Sequence, residues 1–311
     1  MLYEKINFKH IAPILLVMFL WAICFPLITL GIKDAPHLTF AALRAALAGV
    51  SLLILASMLS KPMPKGLRMW SMLTLVGLGA TTLGFFGMFH AAEFIAPGIA
   101  TVIANIQPLL AAVLAYFILN EPLSNKGKLG LFLGFIGIIL IVFPNLSAPG
   151  SSGYFMGFVY VIFAVLGVTI SNIIIKHIAG SIDAITAMGW QLVLGSLPLA
   201  FLAFATENPL SITWSGNFIL SLIGLSIPGT AFVYWLWFTI LEKTDLNRAN
   251  SFAFLVPVFG LAMGMVFYGE RLDGIVFLGV AVILTGILLV NTQQVPEPIQ
   301  RKSVLQKRIL L

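Results

Sequence analysis

Arg44 is the one basic residue lodged inside a long apolar run, about seven residues past its start near His37. If that run crosses a membrane, an unpaired charge there costs on the order of 2.5–3.5 kcal/mol. Three fates are open to it: snorkelling outward, bonding to free backbone carbonyls, or binding an anionic group. Glu121 and Glu270 sit where one apolar run ends and the next begins, suited to a helix N-terminus, to gate geometry or to a coupling role. No carboxylate falls at the centre of a run. Cys24 is the single cysteine and lies in an apolar segment, so neither a disulfide framework nor a thiolate metal site is available. The four histidines have no metal-like spacing, and His90 stands near the outer end of a run, where histidines usually have no special role. With no Gly-rich phosphate loop and no Ser/His/Asp set, the expected chemistry is recognition, without cofactor or metal, and not catalysis.

The remaining polar and aromatic groups are spaced for that. Thr101, Asn105 and Pro108 share one helical face, as do Asn250, Phe254 and Pro257. Polar groups on such faces bond between helices or touch a substrate. Pro108 and Pro257 interrupt a helical ladder and should kink it. Trp21 with Phe25, Phe85 with Phe89, and Tyr234 with Trp237 recur at three or four residues. Such stripes pack, form an interfacial belt, or line an apolar cavity.

The elements that carry these residues are read from composition. Of the 311 residues 60% are hydrophobic and 9% charged, with a mean hydropathy of +1.06. A soluble domain carries about 25% charged residues, so the chain is expected to be an all-α, polytopic membrane protein. Ten stretches are long enough for the roughly 30 Å hydrocarbon layer: 10–32, 37–60, 68–91, 95–119, 127–145, 153–177, 183–205, 216–241, 246–268 and 273–291. The first shows no small-residue cleavage site and is expected to be retained. Net charge is +6, but the cations sit in short loops and at the ends, which argues against a nucleic-acid partner. Fourteen Lys and Arg residues fall at the termini and in alternate loops, against only Lys33 and Arg271 on the other side. That asymmetry places both termini in the cytoplasm.

The chain also contains its design twice. Residues 91–141 align without a gap on 240–290, at an offset of 149, with eleven identities that include Glu93/Glu242, Pro108/Pro257, Glu121/Glu270, Gly130/Gly279 and Gly137/Gly286. Earlier segments align at an offset of 147, which pairs Arg44 with Gln191 and Phe25 with Asn172. The expected division is a first five-helix repeat over 1–145, a second over 146–291 and a basic cytoplasmic tail over 292–311. Five spans are an odd number, so the second repeat enters from the opposite face, giving an inverted-topology pair suited to alternating access.

The duplicated pattern resembles the EamA branch of the drug/metabolite transporter superfamily along nearly the whole chain. It is carried by Pro108 with Asn120-Glu121-Pro122-Leu123, by Pro257 with Gly269-Glu270-Arg271-Leu272, by Leu43-Arg44, and by Gly229-Thr230 followed by Tyr234. Leu20-Trp21-Ala22 departs from the glycine that many members carry after the tryptophan. The resemblance implies a secondary carrier in a bacterial inner membrane that exports amino acids or related metabolites.

The expected partners are lipid and a small amphipathic substrate, with facilitated diffusion, exchange and proton antiport all open. The expected site lies between the halves, lined by Trp21, Phe25, Arg44, Phe89, Asn105, Asn172, Gln191, Tyr234 and Trp237. Pro108, Glu121, Pro257 and Glu270 are assigned to gating or structure. A channel-like or chaperone-like helical protein without a transport cycle is the alternative from a different class.

Overall fold

The structure, a computed structural model, describes residues 8–118, 125–146, 152–243, 249, 252–253, 255–271 and 273–291. Glu121, Asn250, Phe254 and the 292–311 tail lie outside these residues, as does the side chain of Pro108. The described chain is helical: α1 Phe8–Gly31, α2 His37–Met58, α3 Leu67–Ala91, α4 Pro97–Ala104, α5 Gln107–Ile118, α6 Asn125–Leu146, α7 Ser152–Ile178, α8 Ala184–Thr206, α9 Gly216–Lys243, α10 Leu255–Tyr268 and α11 Gly274–Asn291. Six of them, α1, α2, α3, α7, α8 and α9, are long and apolar enough to cross a membrane, and α10 and α11 are shorter apolar helices. The outward faces suit lipid, since Phe201, Phe204, Val266 and Phe267 are 72–76% exposed. Such surface on a water-soluble protein would aggregate.

Between helices in lipid, close approach of small residues replaces the hydrophobic drive. The glycines of α6 and α11 show this. A Cβ on Gly286 would lie 2.6 Å from the Gly130 carbonyl oxygen, and one on Gly137 would lie 2.7 Å from that of Gly279. Gly130 and Gly279 are repeat partners, as are Gly137 and Gly286, so the two contacts are copies of each other under the sequence duplication. The other extensive pairing, α2 with α8, is reciprocal too. Glu207, at the end of α8, accepts from Leu38 N (2.9 Å) and Thr39 N (2.8 Å) at the start of α2, whose own N-cap is Pro36. At the other end Asp183 caps α8 and pairs with Lys61 at 2.9 Å.

The third helix of each half loosens at an equivalent place: α3 is π-helical over Gly77–Leu83, and α9 over Ile227–Phe232. Close packing accompanies the first, for a Cβ on Gly77 would lie 2.5 Å from the Gln191 carbonyl oxygen. In the second, Pro228 removes a donor from the ladder.

The proline helices differ from expectation. The stretch 95–119 is two helices, α4 and α5, separated by a turn at Asn105 and Ile106, and Pro108 is the second residue of α5. Pro257 likewise stands in the first turn of α10, after a turn at Phe252 and Ala253. Each proline therefore begins a helix, where its missing N–H is not needed. The break lies upstream, at the carbonyls the prolines leave without donors.

Candidate functional site

Those breaks border a cavity of about 150 Å³ between the halves. Its wall repeats the sequence duplication. Trp21 and Val168, Phe25 and Asn172, and Ile28 and Ile175 line it as partners at an offset of 147. Phe85 and Tyr234, Met88 and Trp237, Ala104 and Ala253, and Gln107 and Val256 do so at 149. The cavity is therefore lined by equivalent positions of the two repeats, on α1, α3 and the α4/α5 break and on α7, α9 and the start of α10.

Seven of the nine expected residues lie on this wall: Trp21, Phe25, Arg44, Asn105, Asn172, Tyr234 and Trp237. Trp21 and Trp237 meet edge-on with ring centroids 5.0 Å apart, and Trp237 Nε1 donates to Asn172 Oδ1 at 3.2 Å. Phe85 and Tyr234, a repeat pair, approach to 6.4 Å. Asn105 Nδ2 donates to the Ala253 carbonyl at 2.7 Å, the oxygen four residues before Pro257 that the proline cannot serve. Its Oδ1 is buried without a partner among the described residues.

Arg44 is 4% exposed and does not snorkel. Its Nε donates to Thr230 Oγ1 at 2.8 Å, Nη2 lies 3.4 Å from both Cys24 Sγ and the Gly229 carbonyl, and the guanidinium stands 4.3 Å over the Phe85 ring. No carboxylate pairs with it among the described residues.

Phe89 and Gln191 are not on the wall. Phe89 is fully buried one helical turn from Phe85, its ring 5.0 Å from Phe40, because α3 turns that position toward α2. Gln191 accepts from Thr81 Oγ1 at 2.9 Å, which is the copy in the other half of the Arg44–Thr230 bond. Thr81 and Thr230 are themselves an offset-149 pair, so the change of offset falls before Thr81. His90 lies outside the cavity, with Nδ1 2.8 Å from the Phe86 carbonyl and its ring beside Phe86 and Tyr160. Cys24, Met88 and Gln107 line the cavity without having been expected there, and Phe85, read in the sequence as part of an aromatic stripe with cavity lining one of three fates, lines it too. The repeat offset applied to Tyr234 and Trp237 points to Phe85 and Met88.

A narrower pocket shares Phe25, Ile28 and Met88 with the cavity and runs to Ala92, Pro97 and Ala100. At that end the Glu270 Oε1 accepts from Gly98 N at 2.8 Å, so the carboxylate caps α4 of the other half rather than the helix that follows it. Burial pushes the Glu270 carboxyl above the usual carboxylate range, against the lowering pull of the Gly98 and Ile99 amides.

The model of the EamA-like transporter family matches residues 9–143 and again 155–292. The chain belongs to the EamA-like transporter family. Among similar proteins, a chloroplastic WAT1-related protein of Arabidopsis thaliana is 30% identical over 81% of this chain, which spans 62% of that protein's length. A probable amino-acid metabolite efflux pump of Escherichia coli is 26% identical, covering 88% of this chain and 92% of its own. A solved crystal structure superposes with a TM-score of 0.66 at 17% identity, over 91% of this chain and 97% of that one, a likeness of fold alone. This EamA protein is a multi-pass membrane transporter of the inner membrane.

Proposed function

We propose that this transporter is a secondary carrier that exports amino acids or similar small amphipathic metabolites by alternating access. It would cross the membrane ten times, with both termini cytoplasmic and two inverted halves over 1–145 and 146–291. The observation that carries this reading is the cavity wall built from repeat partners. A site on the axis relating two halves is the place that each half can open in turn. The aromatic wall from α1, α3 and α9 supplies the apolar contact, and Arg44, Asn105 and Asn172 supply the polar ones. In the inverted arrangement Glu270 and Gly98 close the outer end, and the Glu121 position would serve the inner end.

Export from cells that overproduce the protein, screened over a metabolite panel, tests the reading. Net extrusion of amino-acid-like compounds that Tyr234→Ala and Trp237→Ala abolish at normal protein abundance is the expected result. Flux that does not saturate with concentration would point instead to a channel-like pore. No extrusion of any compound, from protein inserted at normal abundance, would count against the carrier cycle.

A further inference from the structure

The charge of the cavity narrows its occupant, an inference that rests on the carrier reading above. Arg44 is the only charged side chain among the described residues that line the cavity. A guanidinium presents five N–H donors in a planar fork that matches a carboxylate with two parallel bonds. Here Nε is engaged by Thr230, Nη2 has only two long contacts at 3.4 Å, and Nη1 has no protein acceptor among the described residues. A cation 4% exposed, with spare donors and no counter-ion among the described residues, is incomplete without an anion.

The rest of the wall is aromatic or neutral. A cavity of about 150 Å³ has the volume known to hold a single benzene ring. For a cation the site is unfavourable. Asn105 Oδ1 and Asn172 Oδ1 offer it only neutral acceptors, no acidic side chain is among the described lining residues, and Arg44 repels like charge. A desolvated ammonium ion left unpaired is strongly disfavoured.

We propose that the cavity takes a small aromatic monocarboxylate, its anionic group paired with Arg44 and its ring among Trp21, Tyr234 and Trp237, and selects against a free ammonium group. The preferred substrate is thus an amino-acid-like acid without its amine, such as a 2-oxo or N-acylated acid, rather than the zwitterion.

Three probes with one ring and different charges test this: phenylpyruvate, phenylalanine and phenethylamine. Binding is read by thermal shift of the purified protein, and transport by uptake into proteoliposomes. Phenylpyruvate should bind at least about tenfold more tightly than phenylalanine, with phenethylamine inert. Arg44→Gln should weaken phenylpyruvate by about tenfold or more, with Arg44→Lys intermediate. Should Arg44→Gln fail to fold, Asn172→Asp decides the matter. It keeps the acceptor for Trp237 and adds the missing carboxylate, so the preference should move toward phenylalanine. The proposal is overturned if phenylalanine or phenethylamine binds as well as phenylpyruvate, if none of the three binds, or if Asn172→Asp leaves their order unchanged. Arg44-dependent binding of phenylpyruvate without uptake would uphold the site and sink the carrier reading. Uptake of the amine in preference would do the reverse.

Discussion

Arg44 and Gln191 occupy equivalent positions and bond equivalent threonines across the two halves, yet only one of them is charged. That difference is measurable. Thr230→Val removes the one short acceptor from a buried cation, and an unmet charged donor costs more than the roughly 1–3 kcal/mol of a neutral one. Thr81→Val removes a neutral partner from Gln191. Thermal denaturation in detergent should therefore show Thr230→Val to be clearly the more damaging of the two. Equal losses would mean that the arginine is satisfied elsewhere. At this scale the sequence was legible where residue type alone decides. Arg44, Asn172, Tyr234 and Trp237 stood out as polar or amphipathic groups in apolar runs, and all line one cavity. It misled at Phe89, because two aromatics four residues apart share a stripe, and only packing separates the one facing α2 from the one facing the cavity. Gln191 carried no sign that its amide reaches a threonine of the other half.

At the scale of elements, the six long apolar helices α1, α2, α3, α7, α8 and α9 and their ends followed from length and hydropathy, while the breaks did not. A proline signals lost ladder bonds, but the backbone gives way upstream, at Asn105–Ile106 and Phe252–Ala253. The π-helical turns of α3 and α9 left no composition mark beyond glycine and proline, common in any membrane helix. The α6–α11 seam was readable as duplicated glycines, and their contact distances turn it into a prediction. Gly286→Ala places a methyl group against the Gly130 carbonyl, which should cost about 1–3 kcal/mol as overpacking and lower the melting temperature. An unchanged melting temperature would show that the helices separate freely. Glu270 joins α4 to the α10–α11 turn, and its raised pKa has a sign. The folded carboxyl keeps its proton to a higher pH than the unfolded one. The resulting stability is full below the unfolded pKa and is lost as pH rises through the folded pKa. Melting temperature should therefore rise on mild acidification, and Glu270→Gln should flatten that slope. A slope of opposite sign, or one that survives in Glu270→Gln, would show that the carboxylate is better solvated than its burial implies.

For the whole molecule, the duplication and charge asymmetry predict inverted halves, and the reciprocal contacts between repeat partners are those such halves would make. Labelling at Ser124→Cys and Asp273→Cys, in a Cys24→Ser background, should be confined to opposite membrane faces; labelling from one face would break the inversion. Alternating access is most directly tested at the cavity wall. Met88→Cys reports access, and a reversible cross-link between Gly98→Cys and Glu270→Cys holds the outer end shut, all in Cys24→Ser. With a membrane-impermeant maleimide applied to right-side-out and inside-out vesicles, the locked protein should label at Met88→Cys only from the cytoplasmic side. Reduction of the cross-link should restore labelling from outside. Equal labelling from both faces while the lock is closed, or from neither face in any state, would contradict a carrier that opens one shared cavity to each side in turn.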